Sequence, residues 1–214
     1  MSDLMLVEDS SIKKVAPSLE KLLRDLDESA THHEYLIALL VALLAECNFY
    51  VSSYENNLQC TERKHIPKDW KSEITNVYEI NTRLRDLPDI VCKLIAIPSG
   101  DTLIVNFFPM LEEKKTYSIA VQCLKYVNPF SSDLSGRYRN LREISHRFKD
   151  KVVTPVRTDI LTMAGLISPC LHGLPVEIKL KILEMLGFSD SAQNLAQAFG
   201  STEFNTFRTK NQKT

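Results

Sequence analysis

Eleven consecutive apolar residues, Tyr35 to Ala45, stand between Glu34 and Glu46. A helix built from them is apolar around its whole circumference, so it cannot rest on a surface and has to be covered from two sides. It is also too short to cross a bilayer, which takes about 20 such residues. The rest of the chain must therefore supply two layers. Its 214 residues, 44% of them apolar, suffice for one medium domain and a small satellite.

The layers show as changes of hydrophobic period. Ahead of the run, Leu19, Leu22, Leu23 and Leu26 follow helical spacing behind Pro17, an amphipathic helix that needs something to lie on. It belongs to an acidic segment, 1–28; residues 1–30 carry seven acidic and four basic side chains. After the run and a polar loop the period falls from 3.6 to 2. Residues 76–84 alternate, 90–97 are mostly apolar and β-branched, Pro98-Ser99-Gly100-Asp101 is a turn by composition, and 102–108 and 116–123 follow as strands. Four consecutive strands with short connections predict an antiparallel meander. In the strand 102–108, Leu103, Val105 and Phe107 share one face and Ile104 and Asn106 the other. Its uncharged run Leu103-Ile104-Val105 fits an interior strand equally with an unprotected edge open to pairing.

Helical spacing then returns. Tyr138, Leu141, Ile144, Phe148 and Val152 form a stripe opposite Arg137, Arg139, Arg142 and Arg147, and a second helix is expected from Thr154-Pro155 to Gly165. Residues 137–157 carry seven basic and two acidic side chains. Without interleaved surface aromatics they suit a solvated face, or a seat for an acidic segment such as the N-terminal one, better than nucleic acid. Helices, then strands, then helices give an α+β domain over 29–168, with an antiparallel sheet of four or more strands packed against helices.

The last residues differ. Leu174-Pro175-Val176-Glu177-Ile178 opens a helix that Gly187 ends, and Ala192, Leu195, Ala196 and Phe199 mark a second, ended by Gly200. Around the first helix, Val176, Leu180, Leu183, Ile178, Ile182, Met185 and Leu186 make an apolar arc of roughly 220°, broken by Lys179. A unit this small covers about half of it. Leaving three Leu or Ile side chains wet forgoes about 5–9 kcal/mol, so the arc calls for a cover: a partner protein, or the domain 29–168.

Several function classes are excluded on residues. A net charge of −1 with 25% charged residues argues against wholesale disorder and against a general nucleic-acid or anionic-membrane binder. Asp3, Glu8 and Asp9 stand where a secretory signal would be basic, the five cysteines lack paired spacing, and no N-x-Ser/Thr acceptor occurs. These features predict a reduced protein of the cytoplasm or nucleus. No G-x-G-x-x-G, G-x-x-x-x-G-K or G-x-S-x-G is present, so no nucleotide cradle, nucleophile elbow or cofactor is expected. His32-His33-Glu34 looks like metal ligation, but neighbours on a helix point about 100° apart, and a helix start is the simpler reading. Cys47, Cys92 and Cys123 lie on apolar faces, as inert packing residues do.

Leu174-Pro175-Val176-Glu177-Ile178 through Leu186 resembles the opening helix of an F-box: Leu-Pro, an acidic residue two positions on, then Ile and Leu at helical spacing. The run Tyr138 to Asp150 with Val153-Thr154-Pro155 resembles the last helices of the FP domain, which an F-box-only protein and a proteasome inhibitor share. Gly100 to Asn106 and Pro67 to Lys71 resemble its middle. Together the two resemblances cover about 180 of the 214 residues. They imply an FP-like domain over 29–168, an abbreviated F-box over 174–208 and a polar tail over 209–214. The F-box resemblance implies docking on a Skp-type adaptor, and through it a cullin, by Leu174, Pro175, Glu177, Ile178, Ile182, Leu183 and Leu186. The FP resemblance implies pairing with a proteasome-inhibitor-type FP protein or with a second copy, and the strand residues Leu103, Ile104 and Val105 are the candidates. The implied role is that of a non-catalytic substrate receptor of a ubiquitin ligase that also regulates the proteasome, or of a proteasome regulator without the ligase.

Overall fold

The structure, a computed structural model, describes residues 5–11, 14–27, 29–52, 66–67, 69–111, 115–131, 133, 136–167, 174–187 and 190–199. The chain forms two units, Met1–Ile160 and Leu161–Thr214.

At the centre of the first unit is α2 (His32–Glu46), and the apolar run makes it as expected: every side chain from Tyr35 to Leu44 is buried. Thr31 starts it with a reciprocal cap. The Glu34 amide donates to Thr31 Oγ1 at 3.3 Å and the Thr31 amide to Glu34 Oε2 at 2.7 Å, a box typically contributing about 1 kcal/mol. The amphipathic helix α1 (Pro17–Leu23) finds its support here, packing on α2 and burying Leu19, Leu22 and Leu23. The acidic N-terminal segment belongs to the first unit.

The second layer is a five-stranded antiparallel meander: β1 (Phe49–Val51), β2 (Tyr78–Leu84), β3 (Leu87–Ser99), β4 (Thr102–Pro109) and β5 (Tyr117–Gln122), in that spatial order. Alternation sorts its faces. Tyr78, Ile80, Leu84, Cys92, Leu94, Ala96, Leu103, Val105, Phe107, Ile119 and Val121 are buried beneath the sheet, and the Phe49 and Phe107 rings meet edge to face at 5.3 Å. Gly100, at φ +59°, makes the tight turn between β3 and β4.

β4 is an interior strand, flanked by β3 and β5, so its backbone is not open to an incoming strand. Of the two readings the sequence allowed, the unprotected edge is the one overturned. The edges are β1 and β5.

The sheet leads through α3 (Cys123–Tyr126) to α4 (Leu141–Phe148), a π-helical turn (Lys149–Val153) and α5 (Thr154–Met163), which follow without interruption. Two expectations change here. α5 begins at Thr154 as expected, but Thr154 is itself helical (φ −62°, ψ −45°) and not a cap; Pro155 has no N–H to give to a regular turn, and the widened turn ahead of it runs on into α5. Tyr138 precedes the helix, bridging Val127, and the left-handed Asn140 (φ 50°) stands at its start. The apolar stripe Tyr138, Leu141, Ile144, Phe148 and Val152 is nevertheless buried throughout.

In the second unit α6 (Val176–Leu186) follows Pro175 and ends at Gly187, whose φ of +63° reverses the backbone; α7 is Asp190–Phe199. Leu183, Ala192 and Ala196 form the core between them, with Leu180 and Leu195 packed on it. Residues 200–208, the end of the expected F-box, lie outside the described residues.

Candidate docking surfaces

In α6 the buried row is Lys179 and Leu183, with Leu180 beside it. Across the helix Ile178 is 44% exposed and Met185 81%, and at the two ends of the helix Val176 and Leu186 are 42% exposed each. An 11-residue helix against a single neighbouring helix can bury one stripe, and the sequence supplies two. The aliphatic stem of Lys179 takes the gap in the inner row, as long cationic side chains do on apolar surfaces.

The candidate adaptor-binding residues separate accordingly. Pro175, Glu177, Ile178 and Leu186 are exposed, and Leu174 and Ile182 are half-buried. Leu183 is fully buried in the unit's own core. Met185 and Val176, absent from that set, are among the most exposed apolar residues of the helix; the apolar arc contained them, and only packing against α7 could tell which half stays open.

The outer face of the sheet is the second surface. Ile104 on β4 is 38% exposed, directly opposite Ile97 on β3 and Ala120 on β5, both also exposed. Leu103 and Val105 point inward and are fully buried, so Ile104 alone of the three pairing candidates is available. Nor is the β5 edge bare: the Arg147 guanidinium donates to the Ala120 carbonyl at 2.9 Å, and the π-helical turn packs against the strand.

The basic helices turn out to hold the acidic N-terminal segment. Glu8 Oε2 accepts from Ser145 Oγ at 2.6 Å and lies 3.5 Å from Lys149 Nζ and 3.8 Å from His146 Nε2. Lys149 also pairs with Glu46 at 2.9 Å, and Glu46 accepts from the Val7 amide. The Ser145 hydrogen bond, with the charge of Lys149, holds the Glu8 carboxyl below its ordinary value. Arg137 stacks over the Tyr35 ring at 4.1 Å, and Lys125 pairs with Glu143.

Burial pushes the thiols of Cys92 and Cys123 up to about 12, far from the depressed values of reactive cysteines. Glu34, within the His32-His33-Glu34 run, is committed elsewhere: besides its cap it accepts from Lys71 at 2.9 Å and from the Tyr78 hydroxyl at 3.3 Å. His33 Nε2 donates to the Gly100 carbonyl at 2.9 Å. Ligand atoms of His32, His33 and Cys123 all lie within 4.8 Å of one another, a grouping of residues about 90 positions apart that no local pattern announces. Among the described residues no helix is long and apolar enough to cross a membrane.

No known family model matches the chain. It is 26% identical over 194 residues to F-box only protein 7 of Homo sapiens, an alignment covering 86% of this chain and 35% of that protein. It is 35% identical over 96 residues to a putative F-box protein of Arabidopsis thaliana, covering 44% of this chain and 24% of that one. The chain thus spans about a third and a quarter of these relatives' lengths. The first alignment is too long to fit within Met1–Ile160 and reaches into the second unit. Both similarities are to proteins named for an F-box.

Proposed function

We propose that this protein is a substrate-receptor subunit of a Skp–cullin–F-box ubiquitin ligase, with α6 docking on the Skp-type adaptor. The observation that carries the reading is the open apolar side chains of α6, Ile178 and Met185 with Val176 and Leu186 at its ends, directly behind Leu174-Pro175 in a chain similar to one F-box protein over most of its length. Burying them against a groove is the helix-in-groove mode, in which side chains at helical spacing anchor the partner. The role is that of a non-catalytic adaptor. The first unit would be an FP-like domain that pairs with a proteasome-inhibitor-type FP protein, or with a second copy, through the Ile97–Ile104–Ala120 face of its sheet, and so regulates the proteasome.

The test is co-purification of the full chain with a Skp adaptor and cullin. Wild-type chain is expected to bring both down, and Ile178→Glu combined with Met185→Glu to bring down neither, since a charge desolvated without a partner costs several kcal/mol. Capture undiminished by the double change would remove α6 as the docking element. Failure of the wild type to capture the adaptor while it still binds an FP partner would leave a proteasome regulator without the ligase.

A further inference from the structure

We infer that His32, His33 and Cys123 form a binding site for a divalent transition-metal ion of the zinc type, tying the start of α2 to the junction of β5 and α3. It is independent of the docking reading above and uses none of its residues.

Two imidazoles and a thiol are donors that select borderline-soft ions over calcium or magnesium. The three come from two segments that only the tertiary fold brings together, with their ligand atoms all within 4.8 Å. Around a tetrahedral ion, with metal–nitrogen and metal–sulfur distances of about 2.1 and 2.3 Å, donor atoms lie about 3.4–3.7 Å apart. The donors have to draw in by about an ångström, within the reach of side-chain rotation. The His32 and His33 rings already lie side by side, with centroids 4.0 Å apart.

The side-by-side rings, brought together by side-chain rotation, answer the objection that neighbouring helical residues diverge. The scaffold is built on the β3–β4 turn. His33 Nε2 donates to the Gly100 carbonyl at 2.9 Å, the Cys123 amide to the Asp101 carbonyl at 2.8 Å, and the Leu124 amide to Asp101 Oδ1 at 3.0 Å. One turn therefore holds both the imidazole and the backbone of the cysteine. With Nε2 engaged on a carbonyl, Nδ1 is the nitrogen of His33 left for an ion. An imidazole that donates its other N–H to a backbone carbonyl is the usual outer support of a metal-bound histidine, fixing its tautomer and ring plane.

Burial is graded in the same sense. Cys123 is fully buried, while both histidines are half-buried and give access from solvent. Three protein donors leave a fourth position for water. Coordination forms one sulfur–metal and two nitrogen–metal bonds and releases the thiol proton to solvent, so no oxidant or reductant is involved.

The probe is Co²⁺, titrated into the full-length, metal-stripped, reduced chain, with Zn²⁺ as competitor. The expected result is a thiolate-to-cobalt absorption band that saturates at one equivalent and disappears on adding Zn²⁺. His32→Ala, at a half-buried position that leaves the core intact, is expected to weaken binding at least tenfold, and Cys123→Ala to abolish the band. Zn²⁺ should raise the Tm of the wild type and raise that of His32→Ala markedly less at the same concentration. Absence of the band from wild-type chain, or its survival at full strength in folded His32→Ala or Cys123→Ala, overturns the site.

Discussion

The hydroxyl of Ser145 donates to Oε2 of Glu8 at 2.6 Å, joining two residues 137 positions apart in the sequence. With Lys149 bridging Glu8 and Glu46, the bond fastens the N-terminal segment over α2 and the first turns of α4. Because Ser145 and Lys149 depress the folded-state value of Glu8, the unfolded chain takes up that proton first as pH falls. The contribution is complete above the ordinary value of 4.5 and is lost as the pH drops through the lower folded value. Glu8→Gln should therefore melt earlier than wild type at pH 7, by about 1–2 kcal/mol, and the gap should narrow as the pH is taken below 4. Equilibrium urea unfolding across pH 3–7 measures it; a constant gap would mean that the carboxylate's charge is not what matters.

The two faces of β4 give a second prediction. Val105→Glu buries a carboxylate among Ala96, Ile119 and the inner face of the sheet, and should cost more than about 4 kcal/mol and unfold the first unit. Ile104→Glu, on the open face, should cost about 1 kcal/mol or less and leave a native circular dichroism melt. If the sheet face is a pairing surface, the folded Ile104→Glu chain elutes as a smaller species in size-exclusion chromatography with an FP partner. An unshifted elution would locate pairing elsewhere.

Within the second unit, Leu183 and Ile178 should behave oppositely. Leu183→Ala opens a cavity in a core whose other buried members are two alanines, and should destabilise the unit by about 2–4 kcal/mol. Ile178→Ala should leave its stability within about 0.5 kcal/mol of wild type. Hydrogen exchange at the α6 amides separates the two. Equal loss of protection in both variants would show that Ile178 is covered within the chain.

A fourth prediction concerns Cys92. With its thiol buried beneath the sheet and pushed up to about 12, it should resist iodoacetamide at pH 8 in native protein and react promptly in urea. Cys47, half-buried at the end of α2, should react at an intermediate rate, since its thiol is raised by burial as well. Peptide mapping by mass spectrometry reads both. Rapid native labelling of Cys92 would imply opening of the β2–β3 pair.

The elements easiest to read in the sequence were those whose period meets a single environment. β4 and β5 alternate because one face is core and the other solvent, and α2 has no polar side because every side is covered. β1 was missed: three residues give no period, and Phe49 and Val51 earn their place only by pairing with β2. The π-helical turn was equally silent, because a proline after a threonine is the ordinary signature of a helix start, and only continuity with α4 reveals the turn. On α6 the apolar arc was legible in full, whereas its division into a buried Leu183 and an open Met185 depends on where α7 lies. The His32, His33 and Cys123 grouping could not be read locally at all, since adjacency on a helix argues against it and the third donor arrives through the fold of the sheet.

Arg147 on the Ala120 carbonyl has a bearing on the protein at high concentration. A meander with one short edge strand and one long one would ordinarily grow by adding strands from neighbouring copies, the first step towards fibrils. To add to β5, an incoming chain would have to displace a guanidinium and the helical turn beside it, giving up bonds already made for bonds of the same kind. β1, at three residues, offers too short a template to nucleate growth. Were copies of this chain to pair through the sheet face proposed above, these two edges would keep their sheets from growing further.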